Sequence, residues 1–226
     1  MKVVDKVARI KGSHLEVAGT PIRNGDDGYF GRLMENALGV EENNRKGPDC
    51  AVEGVEIKTK RAQSGARTTL FCMEPKWDIN KNFSSMREAV AEFKNAEHRF
   101  NQCMNSQSEN PRGLKLFLSD KEIFAMCYEQ PLCRWEIEAV LDRCEEKLCN
   151  MVFAEIDGMD SEPKMVKGVS FKGFDRQKFL TLLKGGKVVV EFRTKIEEGG
   201  RCRNRGTAFR MAQKYIAQMY KSSREI

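Results

Sequence analysis

The sequence predicts an α/β fold in which helices and strands mix around a central sheet. Apolar residues recur at helical spacing in residues 26–38 (DDGYFGRLMENAL), whereas residues 187–194 (KVVVEFRT) form the short β-branched run typical of a strand. The two kinds of pattern interchange along the chain and do not separate into an all-helical and an all-strand half. We therefore expect a mixed sheet with both strand directions, flanked by helices.

Four segments have the pattern of helices. They are residues 26–38, 84–100, 134–147 and 175–184. Aromatic and β-branched residues leave the third open between helix and strand. The residues expected to cap or end these helices are Asp26 or Asp27 and Gly39 for the first, Ser84 or Ser85 for the second, and Gly185 with Gly186 for the last.

The strand candidates are short and are bounded by polar or glycine-containing segments. They are residues 52–60, 67–74, 113–119, 122–128, 150–156, 165–172 and 187–194. The second is expected to pair with the first. The tail from 208 to 222 begins like a strand and ends like a helix.

Composition limits the class of function. The 226 residues include 39 basic and 33 acidic side chains, a net charge of +6 that is consistent with a polyanionic partner. No run of 18 apolar residues predicts a membrane span, and the charged amino terminus is unlike a secretory signal. Eight cysteines without a CxxC pair indicate free thiols in a reducing cytosol, so we expect a cytoplasmic protein. Two histidines leave little room for histidine-based catalysis.

Residues 47–61 (GPDCAVEGVEIKTKR) carry the most informative pattern. In a strand, Glu56 and Lys58 project to the same side, while Val55 and Ile57 anchor the other side in a core. If Asp49 arrives beside them, two carboxylates can bind Mg²⁺ and a lysine can orient a water. That combination suits metal-assisted phosphodiester hydrolysis. The alternative is an ordinary ion pair on a solvated edge strand.

A second cluster lies in residues 199–210 (GGRCRNRGTAFR). Arginine can hydrogen-bond guanine, and asparagine can pair with adenine, in the major groove of DNA. The candidate DNA contacts here are Arg201, Arg203, Asn204, Arg205, Thr207 and Arg210. The alternative is a basic hairpin that contacts only phosphates, or no DNA at all. Lys60 and Arg61 follow the acidic strand and are candidates to hold phosphates, and Arg23 and Asn24 are weaker candidates for groove contact.

The segment GYFGRLMENALGVEENNRKGPDCAVEGVEIKTKR, residues 28–61, resembles the MvaI/BcnI group of restriction endonucleases. This group belongs to the PD-(D/E)XK nuclease superfamily and is similar to the mismatch-repair nickase MutH. A second patch, with KFLTLL, GGK, VVVEFR and RNRGTAFR, follows in the expected order between residues 178 and 210. The resemblance implies a PD-(D/E)XK core, with two lobes that form a DNA cleft.

The resemblance also implies residue roles. Asp49 and Glu56 match the metal-binding carboxylates, and Lys58 matches the lysine near the attacking water. Glu35 matches a helix-borne glutamate beside the metal site, although it could equally be a solvent-facing helix carboxylate. The implied cofactor is one or two Mg²⁺ ions, for which Mn²⁺ could substitute. Hydrolysis would leave 5′-phosphate and 3′-hydroxyl ends.

The activity implied is that of a type II restriction enzyme that cuts double-stranded DNA at a short GC-rich near-palindrome. The enzyme would be a monomer and could have a companion DNA methyltransferase. We expect one nuclease domain, with a catalytic lobe at about residues 1–125 and a recognition lobe at about 126–226. A MutH-like repair nickase, a DNA-binding module that has lost catalysis, and a soluble α/β protein with structural acids are the alternatives.

Overall fold

A computed structural model describes most of the chain, namely residues 1–15, 28–40, 47–80, 82, 84–93, 98–158 and 162–226. Its helices are α1 (Val3–Ile10), α2 (Tyr29–Leu38), α3 (Met86–Phe93), α4 (Ile137–Leu148), α5 (Arg176–Lys184) and α6 (Gln213–Ile216), and a 3₁₀ turn covers Ala217–Met219. Its strands are β1 (Val55–Arg61), β2 (Thr68–Cys72), β3 (Arg99–Met104), β4 (Leu114–Leu118), β5 (Glu122–Cys127), β6 (Gln130–Glu136), β7 (Asn150–Asp157), β8 (Lys164–Phe174), β9 (Val188–Ile196), β10 (Cys202–Asn204), β11 (Ala208–Met211) and β12 (Tyr220–Glu225).

The first sheet has the order β1-β7-β8-β12 and contains both strand directions. Strand β1 runs parallel to β7, with Val55 opposite Asn150 and Arg61 opposite Ile156. The other two pairings, β7 with β8 and β8 with β12, are antiparallel. The sheet of mixed direction that the sequence predicts is therefore confirmed.

Helix α2 packs against one face of β1. Val55 and Ile57 of the strand share a buried apolar cluster with Leu33 and Met34 of the helix. Gly31 of the helix lies beside Thr59 of the strand, since a Cβ at Gly31 would stand 3.8 Å from the Thr59 hydroxyl, an ordinary contact distance. Gly39 ends α2 in the left-handed conformation, as predicted. Because Val55 and Ile57 face this cluster, Glu56 and Lys58 project from the opposite face of the strand.

Two further sheets are present among the described residues. One has the order β10-β9-β11-β2, with β3 paired to β9, and the other has the order β4-β5-β6. The stacked rings of Phe71 and Phe209, whose centroids are 4.7 Å apart, join β2 and β11. The buried Trp135 of β6 donates its indole hydrogen to the Met73 carbonyl. The first contact joins β2 to β11, which carries the end of the predicted arginine cluster, and the second joins β6 to the residue that follows β2.

The chain divides into two compact units. Unit 1 contains residues 1–68, 144–175 and 216–226, and unit 2 contains residues 69–143 and 176–215. The boundary crosses α4 between Arg143 and Cys144. This division follows packing and differs in its limits from the expected lobes 1–125 and 126–226, whose functional roles stay predictions.

Several local predictions are wrong. Residues 99 and 100 belong to β3 and not to a helix, because His98 has a φ of 56°, a left-handed conformation that a right-handed helix does not continue through. Strand β2 pairs with β11 and not with β1. Strand β6 occupies residues 134–136 of the segment that looks helical from residue 134. The tail begins with β11 and continues through α6, as expected, but residues 220–222 lie in strand β12.

Other expectations fall outside the described residues or are met. Asp26, Asp27, Arg23 and Asn24 lie outside the described ranges. The predicted cap of α3 is present, with the Glu88 backbone N–H donating to the Ser85 hydroxyl. No helix within the described ranges is long and apolar enough to cross a membrane.

Candidate active site

Asp49, Glu56 and Lys58 converge at the start of β1. The Lys58 ammonium donates a hydrogen bond to Oε1 of Glu56. The Asp49 backbone N–H donates to Oε2 of Glu56 over 3.2 Å, and the Asp49 carboxylate accepts from the Ile57 N–H over 2.9 Å. The two acids and the lysine therefore form one hydrogen-bonded cluster, as the sequence pattern requires.

A tight turn brings Asp49 back to the strand. Cys50 and Val55 exchange backbone hydrogen bonds of 3.0 and 3.1 Å across the turn. Gly54 has a φ of +63°, a conformation that glycine adopts without the steric cost that a side chain would add. The turn places the Asp49 side chain beside the second and third residues of β1, where its carboxylate meets the Ile57 N–H.

Lys147 is a fourth member of this cluster, and the sequence analysis missed it. Its ammonium lies 2.9 Å from Oε2 of Glu56 and 3.7 Å from Oδ1 of Asp49, and it donates to the Gly47 carbonyl over 3.2 Å. Lys147 stands in the last turn of α4, directly before β7. Because β7 starts in parallel register with β1, the end of α4 arrives where the strand begins.

Burial and charge act against each other on Glu56. Its side chain is 0% exposed, whereas the side chains of Asp49, Lys58 and Lys147 are 23%, 19% and 14% exposed. Burial raises the pKa of the Glu56 carboxyl and the nearby Asp49 charge raises it further, while Lys58 and Lys147 lower it. The two lysines supply the compensation that a buried carboxylate requires.

The donor set fits a hard divalent cation. Two carboxylates already share one ammonium, which shows that this position accepts positive charge between them. Within the described residues, no group of three or more His, Cys, Asp or Glu side chains could hold a metal. Mg²⁺ suits such a site, because it is commonly bound through one or two carboxylates and keeps water molecules or substrate oxygens as its other ligands.

Glu35 lies on a different element from the two acids and Lys58 of the cluster. It lies half-buried on α2, the helix that packs against the Val55 and Ile57 face of β1. Glu56 and Lys58 project from the other face, so the helix does not share their side of the strand. The role of Glu35 beside the metal stays a prediction.

In unit 2, Glu74 organises the turn between β10 and β11. Its carboxylate accepts hydrogen bonds from the Thr207 N–H over 2.7 Å, the Thr207 hydroxyl over 3.2 Å and the Asn204 amide over 3.0 Å. The Asn204 side chain also accepts from the Gly206 N–H over 2.8 Å. Thr207 is fully buried, so its hydroxyl is used inside the turn. No local sequence pattern indicates this role of Glu74, since it lies 133 residues from Thr207.

The arginines of this turn differ in their surroundings. Arg201 and Arg205 are exposed, and their side chains make no ion pair or hydrogen bond with any part of the chain that is described. Arg203 is exposed and lies 3.4 Å from Glu197, whereas Arg210 is partly buried and pairs with Glu191. Arg193 donates to the carbonyls of Arg205 and Gly206 and so fixes the backbone of the turn.

Lys60 and Arg61 lie at the end of β1, as predicted. Lys60 is partly buried and stands opposite Glu155 in the parallel ladder. The Arg61 guanidinium lies over the Phe30 ring, 4.8 Å from its centroid. This contact holds Arg61 on the α2 side of the strand, which is the side opposite to Glu56.

Comparison with known proteins places this site in a family. The model of the MvaI/BcnI restriction endonuclease family matches residues 6–220. The structure titled "Restriction endonuclease MvaI-cognate DNA substrate complex" is 15% identical, with 98% of this chain and 95% of that chain covered and a TM-score of 0.75. "Restriction endonuclease MvaI in the absence of DNA" is 16% identical, with 87% and 86% covered and a TM-score of 0.50. Curated proteins gave no match.

At these identities the solved structures show the fold, and they confirm the predicted fold class. The family model does more, because it spans nearly the whole chain, including both clusters described above. The chain therefore belongs to the MvaI/BcnI restriction endonuclease family, and it is a type II site-specific deoxyribonuclease.

Proposed function

We propose that this enzyme hydrolyses double-stranded DNA with Mg²⁺ bound by Asp49 and Glu56, and that Mn²⁺ can replace Mg²⁺. The convergence of both carboxylates with Lys58 at the start of β1 carries this proposal. One or two ions are compatible with the two acids. Glu35 is the candidate for helping to hold a second ion or for orienting a ligand.

The residues of the cluster have separate tasks. Mg²⁺, when bound, supplies the positive charge that stabilises the developing charge on the phosphoryl oxygens and activates water. Glu56 is fixed by burial and by its hydrogen bonds, so it holds its orientation. Lys58 is partly exposed and directs its ammonium to the same carboxylate, so it is the candidate to orient the attacking water and to help in its deprotonation. In-line attack on the phosphorus then leaves 5′-phosphate and 3′-hydroxyl ends.

For DNA recognition we propose the turn at residues 199–210. Arg201 and Arg205 are the first candidates for contact with bases or phosphates, since both guanidinium groups are exposed and are not held by described residues. Arg203 can exchange its weak pairing with Glu197 for DNA. Asn204, Thr207 and Arg210 support the turn in this structure, and direct DNA contact by them requires a rearrangement. Lys60 and Arg61 are candidates for phosphate contact near the cleaved bond.

A short GC-rich near-palindrome is the proposed target, in keeping with the family resemblance and with the arginine-rich turn, because arginine commonly contacts guanine. We also propose that the enzyme acts as a monomer and that a companion DNA methyltransferase protects the host genome.

Plasmid digestion tests the function directly. With Mg²⁺, we expect discrete fragments whose mapped ends carry a 5′-phosphate and a 3′-hydroxyl, and we expect no cleavage in EDTA. Asp49→Ala should abolish cleavage but keep DNA binding. Nicks confined to hemimethylated sites would favour the repair nickase, and failure to cleave in any divalent metal would favour a binding module. Cleavage that survives Asp49→Ala would refute the site.

A further inference from the structure

Lys147 has no role in the pattern that identifies the site, yet it contacts both carboxylates. We propose that Lys147 is a built-in counter-ion, which occupies the cation position between Asp49 and Glu56 in the metal-free enzyme and leaves that position when a divalent metal binds. This proposal rests on the proposed metal site. Lys147 is a positioning residue in this sense, and it sets how strongly the enzyme holds its metal.

The contacts of the two lysines are different. Lys58 stands on the same strand as Glu56 and donates to Oε1. Lys147 comes from α4, and its ammonium lies near Oε2 of Glu56, Oδ1 of Asp49 and the Gly47 carbonyl. It contacts one oxygen from each carboxylate, as a cation bound by both acids would. A metal that used both carboxylates would therefore compete with Lys147 more directly than with Lys58.

The charge balance explains why such a counter-ion is needed. Asp49 and Glu56 contribute two negative charges, and Lys58 and Lys147 contribute two positive charges, so the four side chains are neutral together. Without Lys147, the fully buried Glu56 would keep one ammonium partner, and Asp49 would lose its contact with the Lys147 ammonium. Removing one partner of a buried ion pair is strongly destabilising, because it leaves an uncompensated buried charge. Lys147 thus keeps the metal-free site compensated.

The same contacts oppose metal binding. A divalent ion placed between the carboxylates would face the Lys147 ammonium at close range, and like charges so near repel. The ammonium is on a flexible stem and is 14% exposed, so it can move to solvent or toward a bound phosphate. Loss of Lys147 should therefore weaken the metal-free protein and strengthen its hold on the metal, two effects of opposite sign.

The decisive experiment measures Mn²⁺ binding to the DNA-free protein by electron paramagnetic resonance, together with the melting temperature in EDTA. Lys147→Met removes the charge and keeps the stem, and Lys147→Arg keeps the charge. Lys184→Met is the matched control, because Lys184 also lies in the last turn of a helix and is exposed. Asp49→Ala tests the metal site itself.

For Lys147→Met we expect Mn²⁺ to bind about fivefold tighter or more, and the melting temperature in EDTA to fall by about 5 °C. Lys147→Arg and Lys184→Met should stay near the wild type in both measurements. Unchanged or weaker Mn²⁺ binding by Lys147→Met would overturn the counter-ion role, provided that Asp49→Ala loses the metal. If the wild type binds no Mn²⁺, or Asp49→Ala binds it normally, the proposed metal site is itself wrong.

A measurement on the wild type covers the case in which Lys147→Met does not fold. Amine-reactive labelling, read at each lysine by mass spectrometry, reports how accessible each ammonium is. Addition of Mg²⁺ should raise labelling at Lys147 by about threefold or more, since loss of its carboxylate contacts exposes the amine, and it should leave Lys184 unchanged. Labelling at Lys147 that stays constant or falls would overturn the proposal.

Discussion

Two ion pairs in this molecule have the same chemistry and opposite electrostatic character. Lys58 contacts Glu56 in unit 1, and Lys76 contacts Glu136 in unit 2. Glu56 is fully buried and burial raises its pKa, whereas Glu136 is half exposed and its hydrogen bond with Lys76 lowers its pKa. Burial therefore decides the sign of the pKa shift, although each glutamate has a close lysine.

The difference separates the proposed catalytic cluster from an ordinary surface ion pair. An exposed pair such as Lys76 and Glu136 adds little, because water solvates both charges well in its absence. The buried carboxylate has lost its water and depends on Lys58, Lys147 and the Asp49 N–H. A strained balance of this kind is typical of active sites, where perturbed pKa values concentrate.

The largest expected difference between the two ion pairs appears when Lys58 and Lys76 are each replaced by alanine. Lys58→Ala should lower the single-turnover rate of DNA cleavage by about 10³-fold or more, because it removes the cation nearest the proposed attacking water. Lys76→Ala should leave the rate unchanged. Both variants should bind DNA in Ca²⁺, as measured by gel shift. Equal rates for the two variants would show that burial does not mark the catalytic pair.

Glu74 is an exposed carboxylate that, unlike Glu136, accepts hydrogen bonds from a turn proposed to recognise DNA. Glu74→Ala should reduce discrimination between the target duplex and a duplex with one changed base pair by about tenfold, because the turn at Asn204 and Thr207 loses its three hydrogen bonds. Fluorescence anisotropy with both duplexes measures this ratio.

The control for this variant is Glu129→Ala. It removes an exposed carboxylate of the same unit that accepts no hydrogen bond from the residues that the structure describes. Glu74→Gln keeps an acceptor and should be intermediate. Undiminished discrimination in Glu74→Ala would show that the turn does not read sequence.

Exposed arginines should act through salt-dependent affinity. Arg205→Ala should weaken DNA binding severalfold and reduce the slope of log K against log[salt] by about 1 if the guanidinium contacts a phosphate. Arg176→Ala is the matched control, since that guanidinium is held by Glu138 and Asp142. A titration at several salt concentrations gives both slopes, and identical slopes would move recognition away from Arg205.

The smallest expected effect is on stability, and it concerns the surface ion pair between Arg134 and Asp78 in unit 2. Arg134 binds Asp78 with two hydrogen bonds of 2.8 and 2.6 Å, and this contact lowers the pKa of Asp78 below its ordinary value of 3.8. A lowered folded-state pKa means that the stabilisation is present above 3.8 and is lost as the pH falls through the folded-state pKa. The wild type should therefore exceed Asp78→Asn in stability at pH 7 by a small margin, and this margin should be smaller at a second pH below 3.8.

Urea unfolding in EDTA at the two pH values measures that margin. Asp120→Asn serves as the control, because Asp120 is an exposed carboxylate of the same unit for which no ion pair is found among the described residues. A margin that grew on acidification would contradict the assigned direction of the Asp78 shift.

The sequence predicted what is local and periodic. The alternation of Val55, Glu56, Ile57 and Lys58 sufficed to place the charged pair on one face of a strand, and Gly39 and Ser85 marked helix ends correctly. The mixed sheet and the family also followed from local patterns and their order. Each of these depends on neighbours within a few residues, which is the range over which periodicity carries information.

Features that depend on distant parts of the chain were missed. Lys147 and Glu74 lie 91 and 133 residues from Glu56 and Thr207, with no local pattern to distinguish them from other surface charges. The predicted pairing of β1 was wrong for the same reason, because seven other elements separate β1 from its partner β7 along the chain. Strand β6 was missed because it contains Pro131 and because its pairing with β5 shifts register between Ala125 and Met126. Both features interrupt the regular alternation of a strand.

The parallel pairing of β1 with β7 also has a consequence for the order of synthesis. Asp49 and Glu56 leave the ribosome long before Lys147 and the strand that begins at Asn150. A nascent chain that stops short of these residues holds both carboxylates with neither the second lysine nor the neighbouring strand. Contacts between residues so far apart in sequence are slow to form, so the proposed catalytic cluster is completed late, when most of the polypeptide has already been made.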